Sequence, residues 1–169
     1  MDAEQHRIPP GMPGGLAPWW YLTVAVFAVH NAEEYLRDLP GWAAEHAPPW
    51  IAAVHSGQPG FGLAVGLLTL AALLVAVLAS TLRPTWSAEV LVCFAVVLLI
   101  NAASHLAVSA LTFSAMPGVF TSPLILVLGT FLVTRLPRVR ATWSTVLATA
   151  LVAVFATVGT LLLAGWLVS

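Results

Sequence analysis

The 169-residue chain is 60% hydrophobic and only 8% charged, with a formal net charge of −1 at pH 7. A soluble domain carries about a quarter charged residues, so this composition excludes a water-facing globular surface and indicates an integral membrane protein. With no basic field there is no nucleic-acid partner to expect, and the single cysteine, Cys93, excludes a disulfide framework.

Residues 1–15 are rich in Pro and Gly and read as a flexible tail. No basic segment leads from them into a short apolar core, which argues against a cleaved signal peptide. From residue 16 onward the chain reads as a single all-α domain, a bundle of five transmembrane helices. A helix rises about 1.5 Å per residue, so roughly 20 apolar residues cross a hydrocarbon core of about 30 Å. Runs approaching that length fall near 18–36, 60–80, 88–112, 119–136 and 143–167. The connection 40–59 holds Trp42, Trp50 and the pair Pro48 and Pro49. It suits an ordered loop lying at the headgroup level.

Arginine placement sets the expected orientation, because Lys and Arg concentrate in cytoplasmic loops. With five spans, Arg7, Arg83, Arg135, Arg138 and Arg140 share one side and Arg37 alone faces the other. The expectation is a multi-pass protein of the cell membrane with its N-terminus inside and its C-terminus outside. Trp19, Trp20, Trp86 and Trp143 would serve as interfacial anchors.

An ionisable side chain at membrane depth costs at least about 2.5 kcal/mol, so each one within a span is a functional candidate. The purely apolar part of the first span ends at Val29. His30, Glu33 and Glu34 follow at i, i+3 and i+4, which places both carboxylates on the face of the imidazole. Thr23 and Arg37 extend that stripe. On the third span Asn101 and His105 stand at i, i+4, with Ser104 and Thr112 on nearly the same face. Counted from the expected inner ends, the first set lies roughly 18 to 24 Å deep and the second roughly 20 to 26 Å. The turn 117–123 should bring Thr121 and Ser122, at the start of the fourth span, to the same depth. The plainer readings are an interfacial Glu33–Arg37 pair, interhelical hydrogen bonds for Asn101, Ser104 and Thr112, and satisfied core imidazoles for His30 and His105.

The runs His30-Asn31-Ala32-Glu33-Glu34, Asn101-Ala102-Ala103-Ser104-His105 and Gly118-Val119-Phe120-Thr121 resemble, in order, the HxxEE, NAxxH and GxxT motifs of the HXXEE family of small prokaryotic integral membrane proteins. The resemblance implies a shared polar site and names no reaction.

Three readings of that site remain open. The first is an intramembrane enzyme acting on a membrane-soluble substrate, a hydrolase or oxidoreductase with zinc or iron held by His30, Glu34 and His105; two imidazoles and one carboxylate leave a position open. Glu33 would then move a proton and Asn101 would orient a ligand or the substrate, with Glu34 also a candidate acid or base. A second metal would need ligands such as His46 or His55. The second reading drops the metal and uses Glu33 or Glu34 as the general acid of an isomerase or cyclase acting on an isoprenoid-like lipid. The third is a proton-coupled transporter or channel subunit in which the same groups relay protons.

Overall fold

The structure is a computed structural model that describes residues 15–55, 57–136 and 143–168. The tail residues His6 and Arg7, and Arg138 and Arg140, lie outside the described residues, as do the side chains of His55 and Trp143. Among the described residues seven α-helices run in chain order: α1 (Ala17–Leu36), α2 (Leu39–His46), α3 (Pro49–Ala52), α4 (Gly57–Leu82), α5 (Ser87–Thr112), α6 (Ser122–Arg135) and α7 (Trp143–Val168). A 3-10 turn, Ala53–His55, joins α3 to α4.

The protein is an all-α, polytopic membrane protein. Three helices are long and apolar enough to cross a bilayer: α4, α5 and the Ala150–Val168 part of α7. That is fewer than the five expected, for physical reasons. The last two turns of α1 carry His30, Asn31, Glu33 and Glu34. Helix α6 has only 14 residues, about 21 Å against a core of about 30 Å.

The connection 40–59 also differs from the expected loop, because most of it is helical. Asp38 adopts a left-handed backbone with φ 53° and its carboxylate accepts the N–H of Gly41, while Pro40 occupies the first turn of α2. An acidic cap followed by proline starts a helix because the carboxylate accepts one unpaired first-turn N–H and proline has none to leave unpaired. Trp42 then donates its indole N–H to Ser114 Oγ at 2.9 Å, which ties this segment to the chain beyond α5. Trp50 remains 73% exposed.

The packing forms a ring. Helix α1 lies against α4, α4 against α7 and α5 against α6, and thinner α5–α7 and α1–α6 contacts close it. One core cluster joins Trp20 and Val24 of α1, Ala76 and Ala79 of α4, Leu91 and Leu98 of α5, and Ile125 and Leu132 of α6. A second, smaller cluster gathers Leu39, Phe61, Ala64, Leu161 and Ala164 at the opposite end. Polar pairs fix the register. Trp20 Nε1 donates to Ser87 Oγ at 2.9 Å, Trp19 stacks on Phe131, and Asn31 donates to Thr69 Oγ1 at 2.8 Å across the α1–α4 seam. These contacts leave Arg83 and Arg135 at the end where α1 begins, and Arg37 at the other.

The Trp20–Ser87 bond is buried in apolar surroundings. A double-mutant cycle of Trp20→Phe and Ser87→Ala, read by thermal unfolding in detergent, should give a coupling of about 0.6 to 1.7 kcal/mol. Strict additivity of the two substitutions would remove this bond from the register.

Candidate metal centre

Three backbone segments meet about 10 Å from the ends of α1 and α5. His30, Asn31, Glu33 and Glu34 come from α1, Asn101 and His105 from α5, and Gly118 and Thr121 from the turn before α6. His30 and His105 are 0% and 2% exposed, and Glu34 is 8% exposed. The two imidazoles stand edge to face with centroids 4.9 Å apart. Oε1 of Glu34 lies 3.3 Å from Nε2 of His30 and 3.0 Å from Nε2 of His105.

Those separations have chemical content. Ligands on a tetrahedral zinc with bonds of about 2.0 to 2.1 Å stand about 3.3 Å from each other. Glu34 stands at about that spacing from each histidine, and one donor atom from each of His30, Glu34 and His105 lies within 4.8 Å of the others, a grouping that could hold a single metal ion with all three side chains buried. A buried carboxylate is unfavourable unless positive charge or donors surround it. Here its neighbours are two imidazole nitrogens, which can offer it an N–H or hold a cation beside it.

The second nitrogen of His30 is held as metal-ligating histidines are commonly held, by an outer partner. Nδ1 lies 2.7 Å from Thr121 Oγ1, whose hydroxyl is also 3.3 Å from the carbonyl of Gly118. Asn101 Nδ2 donates to Nε2 of His30 at 2.8 Å, which matches a tautomer with the proton on Nδ1. His105 Nδ1 is buried with no hydrogen-bond partner.

Glu33 faces elsewhere. Its Oε1 accepts the backbone N–H groups of Gly118 at 3.0 Å and Phe120 at 3.1 Å, and its Oε2 accepts that of Thr121 at 2.8 Å. Both oxygens are thus spent on the turn that opens α6, where unpaired N–H groups collect. The anticipated alternative, an ion pair with Arg37, is replaced by a different contact: the Arg37 guanidinium sits 4.5 Å above the Phe120 ring.

Gly118 is the tightest point. Its φ is +97°, and a Cβ there would lie 2.7 Å from Cε1 of His105 and 2.8 Å from Cε1 of His30. Only glycine satisfies both the backbone and the two rings.

Other expected participants lie away from the cluster. Thr23 donates to Trp19 O and Thr112 to Val108 O, each within its own helix. Ser104 donates to Asn101 O, and His46 stacks on Trp42. Ser122 Oγ donates to the Gly118 carbonyl at 2.8 Å and so braces the turn. Asn31 and Gly118 were missed by the sequence reading as site-forming residues, although both lie inside the motif runs. An asparagine beside a buried histidine, and a glycine three residues before a threonine at a helix start, were the available signals.

A cavity of about 580 Å³ adjoins the cluster and is lined from α1, α4, α5 and α7. Asn31, Glu34, Asn101, Ser104 and His105 reach it at one end, and the remainder is almost entirely apolar. Glu33 does not line it.

Residues 21–133 match the profile of the family described as "Protein of unknown function with HXXEE motif". The chain belongs to the HXXEE family. No curated protein and no solved structure matches it. In this HXXEE protein the match spans α1 to α6 and covers every residue that builds the cluster.

Gly118→Ala should cost about 1–2 kcal/mol for the backbone alone, with a further 1–3 kcal/mol from overpacking against the imidazoles. Gly66→Ala, where an added Cβ meets nothing within 4 Å, serves as the control and should be neutral or slightly stabilising. Equal melting temperatures for the two variants would contradict the close fit of Gly118.

Proposed function

We propose that this HXXEE protein is an intramembrane metal-dependent enzyme acting on a membrane-soluble substrate. The observation that carries the reading is the buried His30–Glu34–His105 set, with its donor atoms grouped around one point beside an apolar cavity. Two imidazoles and one carboxylate suit zinc with an open coordination position, or non-haem iron, and zinc is the simpler assignment for a tetrahedral spacing. When bound, such an ion supplies a Lewis acid to an oxygen of the substrate or of water.

The protein's own groups take distinct parts. His30, Glu34 and His105 hold the ion. Thr121 fixes the His30 ring from behind, so its Nε2 points inward. Asn101 stands between His30 and the cavity, where its amide orients a polar group of the substrate. Glu33 holds the 118–121 turn and acts by positioning, rather than by the proton transfer expected of it from sequence. Glu34 is also the carboxylate nearest the cavity, available for a proton during turnover.

A second reading is favoured by one contact, the 2.8 Å approach of Asn101 Nδ2 to Nε2 of His30. It occupies a lone pair that a metal would need. In that arrangement His30 presents no proton to Glu34, and the Nε2 contact of His105 with Glu34 makes that pair a metal-free acid–base centre, suited to isomerisation or cyclisation of an isoprenoid-like lipid. A proton-relay role in transport has less support. Beyond its polar end, the cavity wall of Trp20, Phe27, Ala72, Val75 and Val90 carries no histidine or carboxylate to continue a relay.

The five-span bundle belongs to this proposal. Helices α1 and α6 complete it at membrane depth, with the polar face of α1 turned onto α5 and the 118–121 turn. Arg83 and Arg135 gather at the end where α1 begins, which supports an N-terminus inside, a C-terminus outside and the site in the outer half of a cell membrane.

The test is elemental analysis of detergent-purified protein after zinc loading and desalting. The wild type should retain about one zinc per chain, and His30→Ala, Glu34→Gln and His105→Ala should each lose it while keeping their helical content, as expected when one of three ligands is removed. A wild type that retains none, with variants indistinguishable from it, would favour the metal-free reading.

A further inference from the structure

The cavity beside the cluster has a shape and a polarity of its own. On α1 its wall runs from Trp20 to Glu34, a length of about 21 Å at the helical rise. That exceeds the depth of one leaflet's hydrocarbon, about half of 30 Å. Its volume of about 580 Å³ falls in the range of small-molecule sites, about 300–1,000 Å³. A compact solute would leave most of this slot unfilled, and an extended chain would fill it.

Polarity then fixes the direction of the occupant. Phe27, Val75 and Phe94 face the long apolar part, while Asn31, Asn101 and His105 converge at the other end. Among the described residues no Arg lines the cavity, and the one carboxylate that does is Glu34. The guanidinium nearest the cluster in sequence, Arg37, is engaged over Phe120. In the chelated protein a phosphate or carboxylate head would therefore meet the Glu34 carboxylate with no guanidinium to balance it. A hydroxyl or carbonyl head would meet amide donors and an imidazole.

We propose that the cavity binds a single long-chain lipid with an uncharged hydrogen-bonding head, its chain lying along α1 and α5 and its head placed at Glu34, Asn101 and His105. This deepens the enzymatic reading by naming the substrate class, and it rests on that reading only for the identification of the polar end as the reactive one. Binding itself requires no metal.

The chain carries its own reporter. Cys93 is the only cysteine and lines the apolar part of the cavity on α5. Its alkylation by N-ethylmaleimide, followed by mass spectrometry in phosphatidylcholine nanodiscs after treatment with a chelator, reads occupancy without metal. Hexadecanol at about ten times its dissociation constant should slow the reaction by about tenfold. 1-Butanol and hexadecyl phosphate at the same concentration should leave the rate within twofold of the ligand-free value. An Ala153→Trp variant, which fills the cavity from α7, should be alkylated slowly with or without hexadecanol. An unchanged rate in hexadecanol, or equal protection by hexadecyl phosphate, overturns the proposal using wild-type protein alone. Zinc retention is measured separately, so loss of the metal reading and loss of the lipid reading are different results.

Discussion

A carboxylate set among apolar helices needs donors, and for Glu33 the donors are the backbone itself. Three N–H groups of the 118–121 turn converge on its two oxygens, and hydrogen bonds to a charged acceptor are stronger than those between neutral groups. This interaction locks the turn onto α1. Once locked, it places Thr121 behind His30 and the Cα of Gly118 against both imidazoles, so the position of the rings depends on a residue that touches neither.

Adjacent carboxylates are thereby given unlike tasks. Residues i and i+1 point about 100° apart on a helix, and α1 uses that angle to send Glu33 to the turn and Glu34 to the histidines. The HxxEE, NAxxH and GxxT runs are accordingly one physical unit. The first supplies an imidazole–carboxylate pair and an anchor, the second an imidazole and an amide set against the first imidazole, and the third the backbone donors and the space. Apolar helices around them exclude water and leave a slot open to a hydrophobic chain.

Much of this was legible in the sequence. Helices α4, α5 and α7 follow from apolar runs whose lengths match a bilayer, and the i, i+4 spacings of His30 with Glu34 and of Asn101 with His105, set at matching depth, point to the cluster. What escaped has physical causes. Glu33 bonds to main-chain groups, which every residue possesses and no side-chain pattern marks. The role of Gly118 depends on a positive φ and on two rings brought from distant helices. The cavity arises because α1, α4, α7 and α5 pack as a ring around it, a property of packing rather than of any one segment. Helix α2 is a different case, because Asp38, Pro40 and Gly41 form a readable start signal that the tryptophans and the proline pair of the same stretch obscured.

The central claim is that His30, Glu34 and His105 share one point. X-ray absorption at the zinc edge of the loaded protein in nanodiscs tests it most directly. The account predicts a nitrogen and oxygen shell at about 2.0–2.1 Å, with outer-shell scattering from two imidazoles in the wild type and no such protein-bound zinc signal in desalted His105→Ala. A sulfur contribution, or outer-shell scattering unchanged by that substitution, would place the ion elsewhere and contradict the account.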